Sequence, residues 1–150
     1  MKVNFKVIRQ TQKISPTVQT YPLDVVEGNT ILDCLNRIKW EQDGTLAFRK
    51  NCRNTICGSC AIRINGRSAL ACKENIGSEI ARFAPQISQE NQENSIPEIT
   101  IAPLGNMPVL KDLIVDMKGF WNNLESVSPY VSTAARKVPE REFLQTPEER

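Results

Sequence analysis

Four of the chain's five cysteines fall between Asn51 and Lys73, in the stretch NCRNTICGSCAIRINGRSALACK. Cys52, Cys57 and Cys60 are spaced C-x4-C-x2-C, and Cys72 follows after eleven intervening residues. Thiolates are soft ligands, and three on one tight loop with a fourth further along is the plant-type spacing for a [2Fe-2S] cluster. Such a centre exchanges single electrons. Zinc held by the same four thiolates is the competing chemistry, and it would make the chain an interaction module with no redox role. Structural zinc usually takes two separated C-x2-C pairs, whereas here three ligands cluster and one is remote. Histidine is absent. That removes His-Cys metal sites, His-based acid-base catalysis and Rieske ligation together.

A cluster of four thiolates, two sulfides and two ferric ions carries a net charge of about minus two, and reduction adds to it. Burying it demands donors and positive charge nearby. Arg49, Lys50, Arg53, Arg63, Arg67 and Lys73 lie between Gly44 and Lys73 without a single Asp or Glu, although the chain holds 17 acids. Gly58 lets backbone N–H groups approach the sulfides, and Ser59 and Asn51 supply further donors. These features predict a reduction potential above the roughly -400 mV of plant ferredoxins. The candidate cofactor site is therefore Cys52, Cys57, Gly58, Ser59, Cys60 and Cys72, with the four cysteines as metal ligands and no catalytic residue. Cys34 falls on the apolar face of a predicted helix and is read as a small buried hydrophobe, outside the site.

The elements that position this loop follow from periodicity. Val3, Phe5 and Val7 alternate with Lys2, Asn4 and Lys6, the period of a half-buried strand. Thr17 to Val26 is expected to pair with it after a Ser15-Pro16 turn. Thr30 caps a helix expected from Ile31 to Trp40 and ended near Gly44, with Asp33 as capping-box partner and Ile31, Cys34, Leu35 and Ile38 on one face. AIRI and SALAC flank Asn65-Gly66-Arg67, a hairpin signal that brings Cys72 back toward the loop. Glu98 to Leu104 supplies a further strand, and SQENQENS from Ser88 to Ser95 reads as a solvated loop. Together these give an α+β fold, a small mixed sheet packed on one helix.

From Pro108, at a first helical position, Leu110, Leu113, Ile114, Met117, Phe120, Trp121 and Leu124 recur at spacings of three and four, which predicts an amphipathic helix. Its face either closes over the domain's own core or, through Phe120 and Trp121, rests on a partner. Expected boundaries are 1–106 for the cysteine-bearing domain, 107–126 for the helical extension and 127–150 for a linker. Thr146, Pro147 and Glu149 announce a further helix, so the chain is expected to be the amino-terminal piece of something longer.

At 40% hydrophobic and 24% charged residues the composition is that of a globular chain able to bury a core. A net charge of +2 gives no bias toward nucleic acid. The amino terminus has no apolar run of the kind a secretory signal needs, so the chain is expected in a reducing compartment; no segment approaches a membrane span, so any membrane association is expected to come through partners.

The segment NCRNTICGSCAIRINGRSALAC resembles the cluster-binding segment of the iron-sulfur subunit of succinate dehydrogenase and fumarate reductase. PLGNMPVLKDLIVDMKGFWNN resembles that family's segment after its ferredoxin domain, and SPYV and REFLQTPEER fit its subsequent linker. The resemblance implies a beta-grasp [2Fe-2S] ferredoxin-like fold with Cys52, Cys57, Cys60 and Cys72 as ligands of the cluster nearest the flavin. It further implies a flavoprotein partner that oxidises succinate with covalent FAD, and passage of single electrons from that FAD toward quinone. The chain alone would catalyse nothing on succinate. FAD is expected in the partner only, and [4Fe-4S] and [3Fe-4S] clusters only in the family's second half, since no cysteine follows Cys72. The implied location is cytoplasmic, peripheral to the inner face of a membrane through partner subunits and a membrane anchor. A free [2Fe-2S] shuttle, or a domain of another oxidoreductase, is the alternative. Asn54 and Thr55 stand where the family usually has Glu-Gly; if that position requires a positive φ, the β-branched Thr55 is strained.

Overall fold

The structure is a computed structural model that describes residues 1–83, 96–129 and 147–149. Residues 1–117 form one compact unit, and Lys118 opens a second.

β1 (Lys2–Thr11) buries Val3, Phe5 and Val7 completely while its alternate residues face outward. It pairs antiparallel along its length with β2 (Ile14–Asp24). The hairpin turns at Gln12-Lys13 rather than at Ser15-Pro16, and Lys13 N–H donates to Thr11 Oγ1 at 3.3 Å. Pro16 is carried inside β2, which pairs only with β1; an edge strand tolerates a residue that lacks an N–H.

α1 (Ile31–Arg37) starts where expected: Thr30 Oγ1 accepts from Asp33 N–H, and Asp33 accepts in return from Thr30 N–H, both at 3.1 Å. The helix then widens into one π turn over Ile38–Gln42, stopped by Asp43. Ile31, Leu32, Cys34, Leu35 and Ile38 join the core formed with β1 and the later strands.

β3 (Ala61–Ile64) and β4 (Arg67–Leu70) form the Asn65-Gly66 hairpin, and β5 (Glu98–Ala102) runs parallel to β1 and antiparallel to β3. α2 (Ile76–Phe83), absent from the sequence-based reading, begins where Asn75 Oδ1 accepts from Ser78 N–H at 2.8 Å. Asn75 followed by Ile76 and Ile80 was the available signal.

The helix expected from Pro108 is corrected over its first half. Val109–Lys111 is β6 and Ile114–Val115 is β7, joined by a turn with Asp112 at φ 50°. Leu113 and Val115 are buried two residues apart, a strand period that spacings of three and four had obscured. Asp112, almost fully buried, decides the matter. Its carboxylate accepts from Arg9 Nε and from Ala47 N–H, both at 2.9 Å, while its own N–H donates to Gln10 O at 2.7 Å. Those partners are distant in sequence, so no local pattern could report them. The strand order is β4-β3-β5-β1-β6-β7, with β2 on the other side of β1. This mixed seven-stranded sheet with its helices is the expected α+β, beta-grasp arrangement.

In the second unit, α3 (Lys118–Val127) buries none of its residues within the described structure, and Phe120 and Trp121 meet edge to face at 5.1 Å. A single 3-10 turn covers Pro147–Glu149. Thr146, the SQENQENS segment and most of the expected linker lie outside the described residues.

Candidate cluster-binding site

The cysteine loop is suspended between two anchors. At its base, Leu46 is fully buried, and Ala47 is gripped by Asp112 and by Leu113, whose N–H donates to Ala47 O at 3.1 Å. Arg9 reinforces this base by reaching Asp43, Tyr21 at 2.7 Å and Thr45 at 3.0 Å. Hydrogen bonds from Thr45 and then Tyr21 hold the Asp43 carboxyl well below the usual carboxylate range. Along the loop, Lys50 Nζ donates to the buried Asn36 of α1 at 2.5 Å and lies 5.1 Å from the Trp40 ring. Arg53 pairs with Asp33 at 3.2 Å. Asn36, Asp33 and Trp40 therefore help to position the loop, a role that only the fold reveals.

The loop turns by adopting left-handed backbone at Arg53 (φ 56°), Thr55 (φ 61°) and Gly58 (φ 69°). Gly58 does so freely. Thr55 bears the strain foreseen for a β-branched side chain there, at a cost of roughly 1–3 kcal/mol. The turns aim N–H groups inward: those of Asn54 and Cys57 lie 3.3 and 3.4 Å from Cys52 Sγ. Ser59 Oγ lies 3.1 Å from Cys57 Sγ. Hydrogen bonding by Ser59, and after it by Cys52, pulls the exposed Cys57 thiol down to about 6, so it is readily available as a thiolate.

Cys60 and Cys72 are placed differently. Cys60, only 5% exposed, leads into β3, and Ala71 N–H donates to Cys60 O at 3.1 Å. The hairpin that returns the chain has both turn residues left-handed, Asn65 at φ 47° and Gly66 at φ 81°. Asn65 further locks onto β5, its N–H donating to Thr100 O and its Oδ1 accepting from Thr100 N–H, each at 2.8 Å. The first N–H groups of α1 bond the residues around Cys72: Ile31 to Glu74 O and Leu32 to Ala71 O, each at 2.9 Å. The Cys60 and Cys72 side chains interact directly, and burial pushes the Cys60 thiol up.

The six cations are not all free to balance an anionic centre. Arg67 is committed to Glu74 at 3.1 Å and to the fully buried Glu79 at 2.7 Å, and Arg53 is paired with Asp33. The acids lie outside the 44–73 window in sequence but return to it in space, so among the described residues the expected basic surplus narrows to Arg49, Lys50, Arg63 and Lys73. Cys34 is fully buried, its thiol pushed up to about 12 by burial, which suits a core residue.

The cysteines stand as two pairs: Cys57 N–H meets Cys52 Sγ at 3.4 Å, and the Cys60 and Cys72 side chains interact. A two-iron cluster asks each iron to take two thiolates, so this donor set fits it in number, chemistry and grouping.

Fold and cysteine set define a ferredoxin-type electron-transfer module. Residues 4–122 match the family described as the 2Fe-2S iron-sulfur cluster binding domain, and the chain belongs to that family. Among solved structures, it is similar to a chain of the Mycobacterium smegmatis Sdh1 complex in the apo form, with 25% identity and a TM-score of 0.75. That match covers 96% of this chain and 54% of the mycobacterial one, so this chain spans about half of its relative's length. A hypothetical protein from Helicobacter pylori shares the fold at 23% identity and a TM-score of 0.59, over 88% of this chain and 22% of that one.

Proposed function

We propose that the chain is the cluster-bearing, amino-terminal part of a succinate dehydrogenase or fumarate reductase iron-sulfur subunit. In this reading Cys52, Cys57, Cys60 and Cys72 hold a [2Fe-2S] cluster that takes single electrons from the FAD of a flavoprotein subunit, toward quinone. The observation that carries the ligation is the grouping of four cysteines into two adjacent pairs on one loop and its return strand. The similarity to the Sdh1-complex chain, together with the sequence resemblance, supports the choice of enzyme. When bound, the cluster supplies one-electron steps between a two-electron flavin and its acceptor.

The chain's own contribution is to hold and to tune. The Asn65-Gly66 hairpin and the amino end of α1 fix Cys60 and Cys72 at the edge of the core. The left-handed loop directs N–H groups at Cys52, and Arg49, Lys50, Arg63 and Lys73 supply positive charge. Location at the inner face of a membrane, through partner subunits, belongs to the same proposal.

Anaerobic purification from the native source tests it. A red-brown protein with a [2Fe-2S] signal and a stoichiometric partner carrying covalent flavin is the expected result. A colourless, zinc-loaded protein would overturn the ligation, and a cluster-loaded chain that never brings down a flavoprotein would overturn the choice of enzyme.

A further inference from the structure

Among the described residues, one side chain other than a cysteine bonds a candidate ligand: Ser59, whose Oγ is 3.1 Å from Cys57 Sγ. Between a hydroxyl and a free thiol either atom can donate. A metal-bound thiolate has lost its proton and can only accept, so with Cys57 ligated the Ser59 hydroxyl is the donor. Its position is set by rigid neighbours. Gly58 turns through φ 69° immediately before it, Gly58 O accepts from Ala61 N–H at 3.0 Å, and β3 begins two residues later. A serine has one side-chain torsion, so little freedom remains between this frame and the hydroxyl.

The bond also falls on the half of the site that faces water. Cys52 and Cys57 are exposed, whereas Cys60 is buried and Cys72 half-buried. Cys52 already receives two backbone N–H groups, so Ser59 gives Cys57 the donor that its own loop backbone gives Cys52.

We infer that Ser59 is a potential-setting residue, its hydroxyl favouring the reduced state of the centre and so raising the potential at which this chain accepts an electron. This rests on the four-cysteine ligation proposed above. Reduction adds one electron to a pair of ferric ions, leaving one ferric and one ferrous, with no proton moved and no ligand lost. The charge goes from about minus two to about minus three, and a hydrogen bond donated to a ligand strengthens as that ligand becomes more negative. Removing the hydroxyl therefore costs the reduced form more than the oxidised one.

The test is an anaerobic redox titration of the full, cluster-loaded chain with dithionite, read by the electron paramagnetic resonance of the reduced state. Ser59→Ala is expected to lower the equilibrium constant for reduction about ten-fold, ~59 mV for a one-electron couple, at unchanged cluster content. Ser59→Thr, which keeps the hydroxyl, is expected to restore the wild-type potential. Ser59→Thr against Ser59→Val repeats the comparison at matched shape, which keeps the test decisive should alanine disturb cluster loading. Coincident potentials for the hydroxyl-bearing and hydroxyl-free chains overturn the inference. A wild-type chain that takes up no [2Fe-2S] centre overturns the ligation instead, and the two failures are told apart by whether the centre is present.

Discussion

The two cysteine pairs are built by opposite means. Cys60 and Cys72 stand at the ends of a hairpin whose inward residues, Ile62 and Ile64, belong to the core, so regular hydrogen bonding and burial hold them. Cys52 and Cys57 sit on irregular, exposed backbone held by polar tethers to α1 and by left-handed turns, one of them strained. Packing fixes position cheaply where apolar surface is available. Where a redox centre must stay near the surface, strain and hydrogen bonds take over that task, and the same bonds are then free to tune the ligands.

The contrast can be broken most forcefully at the two isoleucines. Ile64→Ala should destabilise the chain by roughly 2–5 kcal/mol, because it empties a fully buried site under the hairpin. Ile56→Ala, at a side chain 80% exposed between Cys52 and Cys57, should stay within about 0.5 kcal/mol. Urea midpoints of the two variants measure this, and equal losses would erase the distinction between a packed and a tethered half.

Next comes the link from β4 to α2. Glu79→Ala removes the buried carboxylate that joins Arg67 to Arg82. Both arginines stay partly solvated, so the loss should be about 2 kcal/mol, below that of severing a fully buried pair. Thermal unfolding reads it, and a midpoint that does not move would show that the hairpin's return strand needs no such brace.

Acid should work through the base of the loop. The Asp43 carboxyl is depressed in the folded chain by Thr45 and Tyr21, so its stabilising contribution is complete above the unfolded carboxylate value of roughly 3.9. That contribution is lost as pH falls from there toward the folded value. Asp43→Asn should therefore be less stable than wild type at neutral pH and converge on it in acid. A gap that persists unchanged to low pH would contradict this assignment.

The smallest effect runs the other way. Thr55→Gly relieves left-handed strain at the price of extra freedom in the unfolded chain, and a net gain of about 1 kcal/mol is expected. A raised urea midpoint with an unchanged slope would support it, whereas a lowered one would mean that the threonine side chain contributes something the strained backbone does not express.

Much of this site was legible in advance where its cause is local. Ligand spacing, the Asn65-Gly66 turn and the Thr30–Asp33 capping box each depend on a few adjacent residues, and each pair of neighbours that the sequence places together stays together in space. The misreading from Pro108 shows the opposite case. Leu110, Leu113 and Ile114 satisfy helical spacing as well as a short hairpin does, and only Arg9 and Ala47, brought up by the fold, tip Asp112 into its left-handed turn.

By itself, then, the sequence determined the spacing of the four candidate ligands, the hairpin that returns Cys72 and the class of fold, because short-range geometry and hydrophobic period dictate them. Tertiary structure alone decided which cysteines are exposed, that Arg67 and Arg53 are spent on Glu79, Glu74 and Asp33, and that Ser59 rather than Asn51 meets the Cys57 sulfur. Charge balance and donor direction depend on distances between residues far apart along the chain, and those distances exist only once the sheet has closed.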